Sequence, residues 1–145
     1  MKAICDALAT RYANMTPPAG ETLRAAHGQA PHSMPTTPRI VFFPQDGEMV
    51  TEPGMWVGTS RIDLTLYLSK APGDLARVET QRQKWLGPLL SRLDGATTIT
   101  LAGSGVKSAL PVGWEFTEVP YGGDNYDGII VHLEIITRQA ATFVP

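Results

Sequence analysis

Positive charge is missing from a long stretch of this sequence. Between Ser108 and Thr137 there are five carboxylates, Glu115, Glu118, Asp124, Asp127 and Glu134, and no lysine or arginine. Over all 145 residues the formal net charge is only −2 and charged residues make up 18%. No strong field is therefore available to gather nucleic acid onto the surface. Cysteine is nearly absent too: Cys5 stands alone, which excludes an intrachain disulfide and reads as a small buried hydrophobe. Long apolar runs are lacking. Ile40–Phe43 and Ile129–Val131 are far too short to cross a bilayer. Asp6 interrupts any apolar stretch near the start, so no secretory leader is expected and the origin reads as cytoplasmic. Without such a leader the sequon Asn14-Met15-Thr16 reads as chance.

Catalytic and metal-binding patterns are also wanting. Gly103-Ser104-Gly105-Val106-Lys107-Ser108 hints at a phosphate loop, but that motif needs glycine where Val106 and Leu101 stand. A tight turn explains the glycines better. No Gly-x-Ser-x-Gly elbow occurs, and His27, His32, His132 and Cys5 do not have metal-ligand spacing. No cofactor, metal or enzyme active site is expected. The carboxylates between Ser108 and Thr137 admit three readings: a pair for acid–base chemistry, a solvated face, or the lining of a passage that must not adhere to DNA. Arg77, Arg82, Lys84 and Arg92 interleave with Asp74 and Glu79, the mixture of an exposed helix rather than of a phosphate-tracking patch. Trp85 reads as core, whereas Trp56 and Trp114 suit either core or interface.

At 43% hydrophobic the chain can bury one sizeable core and reads as a single domain over residues 1–145. Ile4, Leu8, Tyr12 and Met15 recur at helical spacing, which predicts a helix over 2–15 stopped by Pro17-Pro18. Residues 16–38 hold five prolines and no sustained period, and are expected to form an arm that docks on a neighbour or stays flexible. A brief helical turn is expected at 21–26. Strands follow at 39–43 and 48–51, separated by a turn at Gln45-Asp46-Gly47. Residues 61–69 alternate cleanly, with Ile62, Leu64, Leu66 and Leu68 on one face. Asp74 is placed to cap a second helix, which Gly87-Pro88 should kink or split and Asp94-Gly95 close. Strands are then expected at 97–101, 113–119 and 127–138, with residues 120–125 as a long hairpin loop. The fold class is α+β, a mostly antiparallel sheet of about five to six strands covered by two helices, ending in an unusually long strand.

This order, together with Pro38-Arg-Ile-Val-Phe-Phe-Pro44, Ile62-Asp-Leu-Thr-Leu-Tyr-Leu68, Lys84-Trp85-Leu86 and Tyr121-Gly-Gly-Asp-Asn-Tyr126-Asp-Gly128, resembles the tail terminator, or tail-completion, proteins of long-tailed bacteriophages. The resemblance implies a structural virion protein of the tail and neck, assembled in the host cytoplasm. It implies a ring, commonly of six subunits, that caps the tail tube, stops tube polymerisation and meets the head connector. DNA would pass through the lumen without sequence-specific binding, and no membrane is involved. A ring needs a heterologous interface, one patch meeting a different one on the next copy. Pro31, Pro35, Trp56, Tyr121 and Tyr126 are candidate contacts, and Glu115, Glu118, Asp124 and Asp127 are candidate lumen residues. A connector or stopper component of the neck is the alternative within phage assembly. A small enzyme with a cryptic carboxylate site is the alternative outside it.

Overall fold

The computed structural model describes residues 2–93 and 106–140. The strand expected at 97–101, the helix closure at Asp94-Gly95 and the first half of the Gly103–Ser108 run lie outside them. Seven elements follow in order: α1 (Lys2–Ala13), β1 (Ala25–His27), β2 (Arg39–Glu52), β3 (Met55–Lys70), α2 (Leu75–Ser91), β4 (Val106–Tyr121) and β5 (Asp124–Ala140). The class is α+β: two helices and a mixed five-stranded sheet of order β1-β2-β3-β5-β4. Only the β1–β2 pair is parallel; β2–β3, β3–β5 and β4–β5 are antiparallel.

The alternating strands divide the sheet into two unequal faces. Ile62, Leu64, Leu66 and Leu68 of β3 and Ile129, Val131, Leu133 and Ile135 of β5 point to one side, as period-two patterning requires. Both helices cover that side. α1 contributes Ile4, Cys5, Leu8, Ala9 and Tyr12, and α2 contributes Trp85 and Leu89. Tyr12 Oη donates to the Leu89 carbonyl at 2.8 Å, while Arg11 Nε and Arg92 Nε each donate to the other's carbonyl at 2.8 Å. These bonds join the two helix C-termini, where unpaired carbonyls gather negative charge.

Asp74 caps α2 as expected, accepting from the Ala76 and Arg77 amides at 3.0 and 3.4 Å. The helix runs unbroken through Pro88, so it is not split there. The carbonyl deprived of a donor there is that of Lys84, an exposed residue whose backbone water can solvate. Arg82 ties α2 to the sheet, donating to the Gly128 and Thr117 carbonyls at 3.1 and 2.9 Å.

The remaining expectations need four corrections. First, α1 ends at Ala13, not residue 15. Second, the 39–43 and 48–51 segments are one strand, and Gln45-Asp46-Gly47 makes an irregularity in its register, not a turn. Third, residues 120–125 are not a long loop. Gly122 and Gly123 at φ 60° and 88° form a two-residue turn between β4 and β5, the left-handed geometry that glycine adopts without strain. Fourth, residues 21–26 hold no helical turn; Ala25–His27 instead pairs with Arg39–Val41.

The arm therefore packs on its own domain. Arg24 N donates to the Pro38 carbonyl at 2.8 Å, and Tyr121 Oη donates to the Pro31 carbonyl. Met34 packs against the small cluster of Val41, Tyr67, Val119 and Tyr126 on the second face. Tyr67 lies edge-on to Tyr121 and Tyr126, at 5.5 and 5.6 Å between ring centroids. Burial first, and then the neighbouring Tyr121 and Tyr126, push the Tyr67 phenol up to about 12. An unfolded tyrosine loses its proton near pH ~10, so above that pH the unfolded chain binds fewer protons than the folded one. Stability is then full below about pH 10 and falls as pH rises toward 12. Urea midpoints should drop across that window while phenolate absorbance lags that of free tyrosine. A Tyr67→Phe chain should show a shallower drop.

Candidate functional site

Two parts of the sheet carry groups that the core does not use. One is polar and lies on the face away from the helices. Pairing of β5 with β3 sets His132 opposite Asp63, and pairing with β4 sets it opposite Gly113. His132 Nδ1 and Asp63 Oδ1 are 2.7 Å apart, and Glu115 Oε1 lies 4.0 Å from Nε2. A carboxylate on one ring nitrogen fixes the tautomer and orientation of the imidazole, as in many proton-transfer sites. Here the ring lies on a half-open sheet face, and among the described residues no hydroxyl or thiol is hydrogen-bonded to it. Cys5 is buried on the opposite side of the sheet, where burial pushes its thiol pKa up.

Close by, a cleft of about 330 Å³ is lined by Asp46, Gly47, Glu48, Thr59, Arg61 and Glu134. It is a concave place holding more than one acid, the feature that the small-enzyme alternative requires. Asp46 and Glu48 are both exposed, and Arg61 sets a guanidinium among the carboxylates. No group of three or more metal-ligating side chains occurs among the described residues.

The second part is apolar. β4 pairs with β5 along one side and has no strand on the other among the described residues. Along it, Leu110, Val112, Trp114 and Phe116 are 53%, 56%, 52% and 42% exposed. A register irregularity between Pro111 and Gly113 distributes them around the strand. Leu110 lies opposite Glu134, on the polar side. Trp114 and Phe116 lie opposite Val131 and Ile129, on the helix side. Arg82 sits over the Phe116 ring at 5.9 Å, a cation–π arrangement that leaves the outer edge of the ring uncovered. Scattered apolar residues on a surface need no explanation, but four in a row along an open strand do.

The candidate residues named from sequence separate. Trp56 is exposed on β3, near the turn to β2. Pro31 and Tyr121 bond to each other within the chain, and Pro35 is exposed. Tyr126 is 4% exposed and belongs to the tyrosine cluster, so it cannot serve as a contact residue on this surface. Among the lumen candidates, Glu115, Glu118 and Asp124 are exposed, and Asp124 lies 3.4 Å from Lys70. Asp127 must be withdrawn. It is 5% exposed and its Oδ2 accepts from the Gly73 amide at 3.1 Å, fastening the start of α2 to β5. The acids of 108–137 thus form no single field, since Glu115 and Glu118 fall on opposite faces of β4.

Sequence reasoning flagged Trp114 but missed Leu110 and Val112, because the strand was begun at Gly113, and passed over Phe116 within that strand. The signal was present in the alternation Leu110-Pro-Val-Gly-Trp-Glu-Phe116. No protein-family model and no curated protein matches this chain.

Proposed function

We propose that this chain is a tail terminator of a long-tailed bacteriophage. Copies of it close into a ring, commonly of six, that caps the tail tube, halts its polymerisation and offers its far side to the head connector. DNA passes through the lumen, kept from adhering by exposed carboxylates, to which Asp124 and one of Glu115 and Glu118 contribute, since these two lie on opposite faces of β4. The supporting observation is the set of exposed apolar side chains Leu110, Val112, Trp114 and Phe116 along β4, whose outer edge pairs with no strand among the described residues. Apolar side chains on a strand with one free edge are covered when another protein subunit packs there. In this reading that subunit is the last layer of tube protein.

The test is electron microscopy of tube protein assembled with and without the chain. Tubes should stop growing and carry a ring at one end when the wild type is present. A chain carrying Trp114→Glu with Phe116→Glu should keep its circular dichroism spectrum, because both side chains are already exposed, yet fail to cap. A wild type that stays monomeric with tube protein at high concentration would overturn the proposal. Capping by the double variant at wild-type levels would remove β4 from it.

A further inference from the structure

Among the described residues the β2–β3 hairpin is the most exposed element. Every residue from Pro44 to Gly54 is exposed, including Met49 at 67% and Val50 at 59%. Between residues 44 and 60 the charges are Asp46, Glu48 and Glu52, with no lysine or arginine. The nearest cations are Arg61, in the cleft beside Glu48, and Arg138, paired with Val57. The exposed surface of α2 has the opposite character. Arg77 and Lys84 stand on it, with Gly20 and Glu21 of the arm forming the far wall of a cleft of about 510 Å³. Among the described residues neither set of charges forms an ion pair within the chain.

From this complementarity we infer that the hairpin of one copy docks on the α2 cleft of the next, through Glu48 and Glu52 against Arg77 and Lys84. The inference rests on the ring reading and supplies its subunit contact. The two surfaces are different parts of the chain, so each copy gives its hairpin to one neighbour and receives the hairpin of the other, the arrangement that closes into a ring. The open edge of β4 is a poorer acceptor, because it presents Glu115 and Glu118 to an already acidic hairpin. Duplex DNA is a poorer occupant of the cleft, because Glu21 stands across from its cations. Exposed ion pairs are individually weak. Met49 and Val50 supply the apolar part, and closure raises the effective concentration of the last contact. This contact leaves the β4 strip free for the tube.

Two charge-reversed chains test it, Glu48→Lys with Glu52→Lys, and Arg77→Glu with Lys84→Glu. All four positions are exposed, and circular dichroism checks that each chain folds. Under conditions where the wild type sediments as a ring, each variant alone should sediment as a monomer, its subunit contact weakened on the order of a hundredfold by like charges. An equimolar mixture should form rings again, since reversed hairpin then meets reversed helix. Wild-type rings should loosen as salt is raised. Rings formed by either variant alone, as readily as by the wild type, would overturn the docking and leave the capping ring standing. A mixture that stays monomeric would overturn the pairing of these two surfaces. A wild type that never assembles, even with tube protein, would overturn the ring and this contact together.

Discussion

Replacing Gly128 with alanine is expected to destabilise the protein by about 3 kcal/mol, the upper part of the usual range for overpacking. A Cβ at this position would lie 2.5 Å from the Leu66 carbonyl oxygen and 2.8 Å from Val119 Cγ2. The first of these is backbone in the middle of β3, so the strand itself would have to move. Gly128 stands where β5 passes between β3 and β4, opposite Tyr67 and Thr117, just beside the register irregularity between Tyr67 and Ser69. Its carbonyl also receives Arg82 Nε. A shift there would disturb the seat of α2 as well as both strand pairs. For a domain of this size the melting temperature should fall by roughly 10 °C. Gly87→Ala supplies the contrast, because beyond its chain neighbours no atom lies within 4 Å of a Cβ placed there and the site is an exposed turn of α2. The gain in helix propensity of about 1 kcal/mol is opposed by the Pro88 ring, which crowds a Cβ on the helical residue before it, so that change should be close to neutral. Thermal melts should separate the two chains by roughly 10 °C. A neutral Gly128→Ala would mean that the strands slide apart at little cost.

A second large effect is expected at Trp85. Its side chain is fully buried between α2 and the sheet and is the largest in the core. Trp85→Ala removes that volume and leaves a cavity, at a cost of about 4 kcal/mol. Phenylalanine should be far better tolerated, at a cost under about 1.5 kcal/mol. The reason is chemical: the indole Nε1 is buried with no hydrogen-bond partner among the described residues. Removing a donor that makes no bond relieves a desolvation penalty while the ring still fills most of the space. Urea unfolding of both variants would separate the two terms. Equal losses for alanine and phenylalanine would imply a hidden partner for the indole.

Much of the core was legible because its signal is local. The period of two in Ile62–Leu68 and Ile129–Ile135 needs no partner to be read, and the same residues line the helix side of the sheet. Asp74 was legible for the same reason, since a cap acts on amides two and three residues away. What escaped depends on contacts distant in sequence. Ala25-Ala26-His27 has no pattern of its own and becomes a strand only because β2 lies beside it. Asp127 looked like a surface acid, and nothing near it in sequence announces the Gly73 amide 54 positions earlier. Tyr126 was misjudged likewise: its burial comes from Tyr67 across the sheet. The apolar edge was half legible. Pro111 would be out of place in a central strand, yet an edge strand tolerates proline because its outward amide has no ladder to join.

That proline bears on what happens when the chain is made without partners. A long bare strand studded with Leu, Val, Trp and Phe is the kind of surface that seeds cross-β fibrils. β4 carries interruptions against this. Pro111 and Pro120 withhold two amides, and the strand shifts register between Val106 and Ser108 and again between Pro111 and Gly113. The longest stretch free of proline and of any shift runs from Gly113 to Val119. That stretch holds Glu115 and Glu118, so chains stacked in register would set like charges upon one another, and a foreign strand would meet a gap at either end. The edge stays adhesive through its side chains while its backbone resists becoming the first layer of a fibre.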